Sequence, residues 1–224
     1  MNTKNKLVIT NDGSHSIFNT KIKECYHSKH GAIVEAEHVF IKNGFSAINR
    51  SELNILEVGF GTGLNALLTY HKAEQRSTQV NYHTMELYPI KKDVYTQLNF
   101  TSLIGLKKTE FLEIHNCSWG KEHKISPYFN LVKNYTSLEE YDTNINFDII
   151  YFDAFSPEKQ EELWNKKIFQ KMHRLLKKDG FLVTYCAKGI VKRTMKSVGF
   201  EVIVLDGPPG KRQMTRANKN IIKK

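Results

Sequence analysis

Short apolar runs alternate with amphipathic stretches along most of this chain. Asn54-Ile55-Leu56-Glu57-Val58 is one such run; it meets Gly59-Phe60-Gly61-Thr62-Gly63, and residues 64–71 continue with helical spacing. That order predicts strand, tight glycine turn and helix. Residues 81–86 predict a second strand, and Pro89 suits the opening turn of a helix nearby. Residues 111–115, Phe-Leu-Glu-Ile-His, read as a third strand. The unbroken apolar run at 147–152 predicts a buried strand that stops at Asp153. A long helix is expected over 158–177, with Leu163, Ile168, Met172, Leu175 and Leu176 on one side and Gly180 closing it. Residues 181–185 give the next strand, 189–198 a short helix, and 200–205 a further strand. This rhythm predicts an α/β fold: a central, mostly parallel sheet with helices on both faces.

The first fifty residues follow a different pattern. Residues 7–10 and 16–18 are short strand candidates separated by Asn11-Asp12-Gly13-Ser14, a turn sequence, so a small N-terminal hairpin is expected. Residues 31–40 have helix-compatible spacing. We therefore divide the chain into an extension, 1–50, packed on a core, 51–224. The stretch 118–146 is polar and long for a plain connection, and is expected to be an excursion near the active edge.

Composition narrows the function classes. The chain has 224 residues, 40% of them hydrophobic, enough for one sizeable core. No apolar run reaches membrane-spanning length and the N-terminus carries no signal-like apolar segment, so a cytoplasmic protein without membrane contact is expected. Cys25, Cys117 and Cys186 are scattered and lack metal-ligand spacing, as do His27, His30 and His38; no metal is expected. Net charge is +10, and from Lys166 onward sixteen Lys or Arg face three Asp or Glu. Such a field attracts polyanions, RNA foremost.

An open parallel sheet binds ligands beyond the carboxyl ends of its strands. That rule puts the Gly59–Gly63 turn, Glu86 and Asp153 on one rim. A carboxylate at Glu86 can accept hydrogen bonds from both ribose hydroxyls of a nucleoside, which serves NAD and S-adenosylmethionine alike. Glu57, two residues before the first glycine, favours the methionine ammonium of S-adenosylmethionine over a pyrophosphate. Asp153 beside the crevice and a last strand pair of antiparallel character point the same way. Asp153-Ala154-Phe155-Ser156-Pro157 follows the buried strand directly, and Pro157 stiffens it. Asp153 is the candidate to orient a substrate amine and help remove its proton. Alternatively it caps a helix or binds only the cofactor ammonium. Phe155 is suited to stack on a base, and Tyr26 to lie against cofactor or target base. Gly207-Pro208-Pro209-Gly210 makes a stiff loop, after which Lys211, Arg212 and Arg216 form a phosphate-binding candidate.

With these residues in view, the chain resembles the family of methyltransferases that complete the 5-methylaminomethyl group on the wobble uridine of tRNA. That family comprises standalone MnmD enzymes and the N-terminal domain of bifunctional MnmC. The resemblance is carried by Asp12-Gly13-Ser14, Tyr26-His27-Ser28, Glu37-His38-Val39-Phe40, Leu56 through Asn65, Glu86 with Pro89, the Asp153–Pro157 run, Thr184-Tyr185-Cys186 and Gly210-Lys211-Arg212, collinear over roughly residues 7–217. It implies a Rossmann-like class I methyltransferase fold with S-adenosylmethionine across Glu57, Gly59, Phe60, Gly61, Thr62, Gly63 and Asn65, Glu86 at its ribose and Tyr26 nearby. Asp153 would sit where cofactor and aminomethyl group meet, with Phe155, Ser156, Pro157, Lys211, Arg212 and Arg216 toward the RNA. The implied substrate is 5-aminomethyl(-2-thio)uridine in the tRNA anticodon arm. No second glycine-rich unit follows, so methylation without the FAD-dependent oxidase is expected, from a monomer supplied with the aminomethyl substrate by separate enzymes. The rivals are methyl transfer to another RNA base or a small amine, an NAD-dependent oxidoreductase, and a non-catalytic RNA-binding module.

Overall fold

Every position of the apolar run Phe147–Phe152 is buried, as a strand covered on both faces demands. The computed structural model describes residues 5–219. Eleven strands and seven α-helices among them are β1 (Lys6–Ile9), β2 (His15–Asn19), β3 (Glu24–Cys25), α1 (Ala32–Ala36), β4 (Glu52–Val58), α2 (Leu64–Arg76), β5 (Gln79–Met85), α3 (Lys92–Tyr95), α4 (Phe100–Ile104), α5 (Lys108–Asn116), β6 (Glu122–Ser126), β7 (Phe129–Asn134), β8 (Phe147–Phe152), α6 (Lys166–Leu175), β9 (Leu176–Thr184), α7 (Gly189–Ser197), β10 (Phe200–Asp206) and β11 (Gln213–Lys219). Beyond α1 a π-helical segment, Glu37–Lys42, continues the extension.

The main sheet runs in the order β10-β11-β9-β8-β4-β5-β7-β6. Strands β9, β8, β4, β5 and β7 are mutually parallel; β11 inserts antiparallel between β9 and β10, and β6 pairs antiparallel on the far edge. The order reverses at β4, which is where the carboxyl ends of β4, β5 and β8 open a crevice. The expected N-terminal hairpin is present as β1–β2, and β3 extends it to a separate three-stranded antiparallel sheet. Asp148 at the start of β8 is fully buried and holds the opposite end of the sheet together. It accepts from Arg50 at 2.5 Å, from Lys177 at 2.8 Å and from the Asn54 backbone N–H at 2.8 Å.

Three expectations need correction. Residues 111–115 belong to helix α5, not to a strand. Phe-Leu-Glu-Ile-His satisfies both apolar periods, and the helical one wins because Phe111, Ile114 and His115 bury one face while the Glu110 carboxylate closes the first turn on the Lys107 N–H at 2.7 Å. The true third strand is β7, inside the stretch 118–146, which therefore gives β6 and β7 to the sheet before residues 136–139 reach the crevice. Its burial alternates strictly, with Phe129, Leu131 and Lys133 inward. Lys133 disguises the pattern: it is fully buried, donates to the His115 carbonyl at 2.6 Å and lies over the rings of Trp119 and Phe60. Finally, the helix expected over 158–177 is a 3₁₀ turn, Glu161–Trp164, followed by α6 alone. Asn165 starts α6 by accepting the Ile168 N–H at 3.1 Å. Strand β9 begins at Leu176, and Gly180 lies within it, where a Cβ would come 2.9 Å from the Phe147 carbonyl oxygen.

Candidate active site

The turn after β4 is shaped by what surrounds it. A Cβ on Gly59 would lie 2.9 Å from the Asp153 carbonyl oxygen, and one on Gly63 would lie 2.7 Å from His115 Nε2; both residues have positive φ. The backbone N–H groups of the turn are largely spent internally. Those of Gly59 and Phe60 both point at the Met85 carbonyl, that of Gly63 donates to the Phe60 carbonyl, and that of Gly61 donates to Glu86 Oε2 at 3.0 Å. Glu86 also accepts the Tyr88 N–H at 2.8 Å through Oε1, so one carboxylate knits the glycine turn to the loop after β5. A turn that holds a carboxylate at its N–H groups is poorly suited to a pyrophosphate, which needs those same donors.

Around this turn lies a cavity of about 920 Å³, within the size range of clefts that take whole small-molecule ligands. Its wall brings together Tyr26, Gly59, Phe60, Gly61, Thr62, Asn65, Glu86, Asp153, Phe155 and Lys211. The remaining candidates lie elsewhere. Glu57 is fully buried beneath the turn, and Gly63 is the left-handed residue just before α2. Ser156 and Pro157 sit behind Phe155, where Ser156 Oγ donates to Glu24 Oε2 at 2.9 Å. Arg212 is exposed, while Arg216 lies in β11 with its guanidinium over the Phe181 ring. Lys211, Arg212 and Arg216 thus do not form one phosphate cluster. The Lys211 ammonium turns inward, 2.5 Å from Glu35 Oε1 and 3.9 Å from the Tyr185 ring centroid.

Asp153 leaves the end of β8 with its N–H on the Val58 carbonyl, and its Oδ2 accepts the Asn65 amide N–H at 2.8 Å. Burial pushes its carboxyl up to about 7; the Asn65 bond and Lys211 pull the other way, and Glu35 adds to the rise. Glu57 accepts from Thr84 at 2.7 Å through Oε2, while its buried Oε1 has no hydrogen-bond partner. Burial raises Glu57 to about 8. Six carboxylates line the cavity or its mouth (Glu24, Glu35, Glu86, Glu139, Asp153 and Glu162) against Lys23, Lys29 and Lys211. This interior receives a cation in preference to an anion.

The N-terminal extension, only partly anticipated as a site element, supplies the facing wall. The Tyr26 ring packs edge-on against Phe155, with centroids 5.0 Å apart, and lies where a Gly61 Cβ would be 3.1 Å from Tyr26 Cδ1. His27 bridges Ser16 Oγ at 3.0 Å and Thr62 Oγ1 at 3.1 Å. Burial lowers it to about 4, so the bridge is a neutral imidazole. From the other side His115 Nε2 donates to the Thr62 carbonyl at 3.0 Å, and burial holds His115 down at about 3. No sequence feature marks His115, because its partner is a backbone atom far along the chain.

Comparisons with known proteins agree with this geometry. A family model described as S-adenosyl-L-methionine-dependent methyltransferase matches residues 122–220. The tRNA 5-methylaminomethyl-2-thiouridine biosynthesis bifunctional protein MnmC of Cupriavidus metallidurans is 29% identical over 227 residues, covering 94% of this chain and 33% of that protein. The chain is similar in sequence to MnmC proteins over most of its length. The MnmC of Campylobacter fetus is 27% identical, covering 90% of this chain and 34% of its own length. The chain thus spans about a third of the curated relatives it matches. Among solved structures, MNMC2 from Aquifex aeolicus superposes with a TM-score of 0.79 at 23% identity, covering 97% of this chain and 70% of that one. Spermidine synthase from Thermotoga maritima gives a TM-score of 0.54 at 15% identity, covering 96% and 72%. The fold is that of S-adenosylmethionine-dependent methyltransferases, with the small N-terminal sheet added. No helix among the described residues is long and apolar enough to cross a membrane.

Proposed function

We propose that this chain methylates the aminomethyl group of tRNA wobble uridine, converting 5-aminomethyl(-2-thio)uridine to its 5-methylaminomethyl form with S-adenosylmethionine as donor. The observation that carries the reading is the pairing of an amide-poor, carboxylate-bridged glycine turn with Asp153 across one cation-receiving cavity. The residues fit the cofactor: a glycine turn on the cavity wall, Glu86 just beyond β5 for a ribose, and an acidic surround for an ammonium and a sulfonium. When bound, the cofactor supplies an electrophilic methyl group on a positively charged sulfur, so no metal is needed to activate it.

The chain's own residues do the rest. Asn65 fixes one oxygen of Asp153, which leaves the other to hold the substrate amine and take the proton it loses. Phe155 and Tyr26, held edge to face, wall the place where the uracil ring enters. Lys211 tempers the negative charge that Glu35 and Asp153 bring together. The reading assigns methylation alone to these residues. It also predicts a monomer acting on the anticodon arm in the cytoplasm.

The test is incubation of the protein with labelled S-adenosylmethionine and tRNA from cells lacking this methylation, followed by nucleoside mass analysis. One added methyl on 5-aminomethyl(-2-thio)uridine is the expected result. A methyl on another base, or on a free amine only, would overturn the substrate assignment while keeping the reaction class.

A further inference from the structure

The charge pattern around the cavity differs from the one read off the sequence. Of the cations near the site, Lys211 is taken up by Glu35, and Lys188 by Glu158. Lys21, Lys23 and Lys29 are exposed, and none has a carboxylate within ion-pair distance among the described residues. Lys23 and Lys29 line the mouth of the cavity, and Lys21 places its ammonium 5.6 Å from the ring centroid of Tyr88, another mouth residue. Tyr88 is 68% exposed, unusual for an aromatic ring whose backbone is pinned.

The rim is also held in place. Asn19 Oδ1 accepts the N–H groups of both Lys21 and Ile22 at 3.0 Å, the Asn19 carbonyl accepts that of Lys23 at 2.7 Å, and Lys23 adopts a positive φ of 59°. Tyr88 is fixed through its N–H on Glu86. A largely exposed aromatic ring beside lysines that no carboxylate takes up, at the entrance of a cavity whose interior is acidic, has a specific use. The acidic interior repels phosphates and admits the amine, so the phosphates must be met outside, where the lysines are.

We propose that the β2–β3 turn and Tyr88 form a docking rim for unpaired nucleotides of the RNA substrate. Tyr88 stacks on the base next to the target nucleotide, and Lys21, Lys23 and Lys29 take the flanking phosphates. This rests on the tRNA reading above and adds to it the N-terminal extension as the RNA-contacting face. Base stacking on an aromatic platform needs no sequence-specific contact.

The experiment is binding of a fluorescent anticodon stem-loop to the full chain, followed by anisotropy across a salt series, with S-adenosylhomocysteine affinity measured by calorimetry alongside. Tyr88→Ala is expected to weaken the stem-loop by about fivefold or more, Tyr88→Phe to restore it, and neither to change S-adenosylhomocysteine affinity. Lys21→Ala/Lys23→Ala/Lys29→Ala should flatten the slope of log affinity against log salt by about 2, since each single-strand phosphate left without its lysine lowers the slope by about 0.7. Unchanged affinity and slope in these variants would overturn the rim alone. So would a Tyr88→Ala protein that loses S-adenosylhomocysteine in the same proportion, since the ring would then belong to the cofactor pocket. Failure of the unaltered protein to bind any stem-loop would overturn the rim and the tRNA reading together.

Discussion

Asn65→Ala tests which group owns the ionisation in the proposed reaction. With Asp153 raised to about 7, a rate that needs its ionised form climbs with pH: about one-tenth of the sites are competent at pH 6 and about nine-tenths at pH 8. The substrate amine must also lose its proton, so a rising limb alone does not identify Asp153. The Asn65 amide does. It donates to Asp153 Oδ2 at 2.8 Å and thereby favours the charged form. A hydrogen bond to an ionised group contributes about 1.5–3 kcal/mol, and one pKa unit corresponds to about 1.4 kcal/mol. Removing that donor should move the limb upward by about 1–2 units. The assay is single-turnover methyl transfer from labelled S-adenosylmethionine to an aminomethylated stem-loop across a pH series, so that product release does not mask the chemistry. Asp153→Asn should abolish the limb centred near pH 7, leaving only that of the amine, and slow transfer by about 10²–10⁴-fold, the usual contribution of a positioned base. A limb that stays put in Asn65→Ala, or that survives in Asp153→Asn with the same midpoint, would refute the assignment and return the limb to the RNA amine.

Three further outcomes follow from the packing. Glu57, raised to about 8 from 4.5, holds a proton in the folded chain that the unfolded chain has released between those values; its stabilising contribution is full below pH 4.5 and is lost as pH rises through about 8. Glu57→Gln should therefore flatten the fall in Tm between about pH 5 and 8 seen by scanning fluorimetry, and a Tm profile identical to that of the unaltered protein would show that Glu57 does not hold this proton. Gly63→Ala places a methyl 2.7 Å from His115 Nε2 at a φ of 73°; urea unfolding should show a loss of about 1–3 kcal/mol, with weaker S-adenosylhomocysteine binding. Asp148→Asn leaves Arg50 and Lys177 without their shared carboxylate; both cations are partly exposed and turn to water, so the expected cost is about 2–3 kcal/mol, with transfer rates unchanged in the folded fraction.

The parts of the fold that were legible share one property: their pattern has a single reading. Phe147–Phe152 is apolar throughout, and Gly59–Gly63 between an apolar run and a helical one fits only a strand–turn–helix corner. The misread parts each satisfied two patterns. Residues 111–115 fit both periods, and residues 129–134 hid a core strand behind Asn130, Lys133 and Asn134, because a lysine capping a helix from inside the protein looks like any surface lysine. Asp153, Glu86, Asn65, Phe155 and Tyr26 share one cavity wall, and their common placement was legible because strand ends and loops announce themselves locally. Lys211 was recognised as a site residue but given the wrong neighbours, since its pairing with Glu35 spans 176 positions of sequence. The clamp of His27 and His115 on Thr62 depends on distant partners, which one-dimensional spacing does not reveal.

Strand β11 comes after β10 in the chain yet lies between β10 and β9. A nascent polypeptide leaving the ribosome therefore cannot finish its sheet in order of synthesis: β10 must wait until its successor has slid in beside β9. Lys211, on the hairpin that joins them, reaches Glu35 only then. The acidic cavity thus gains its balancing cation only when the last strand has entered the sheet.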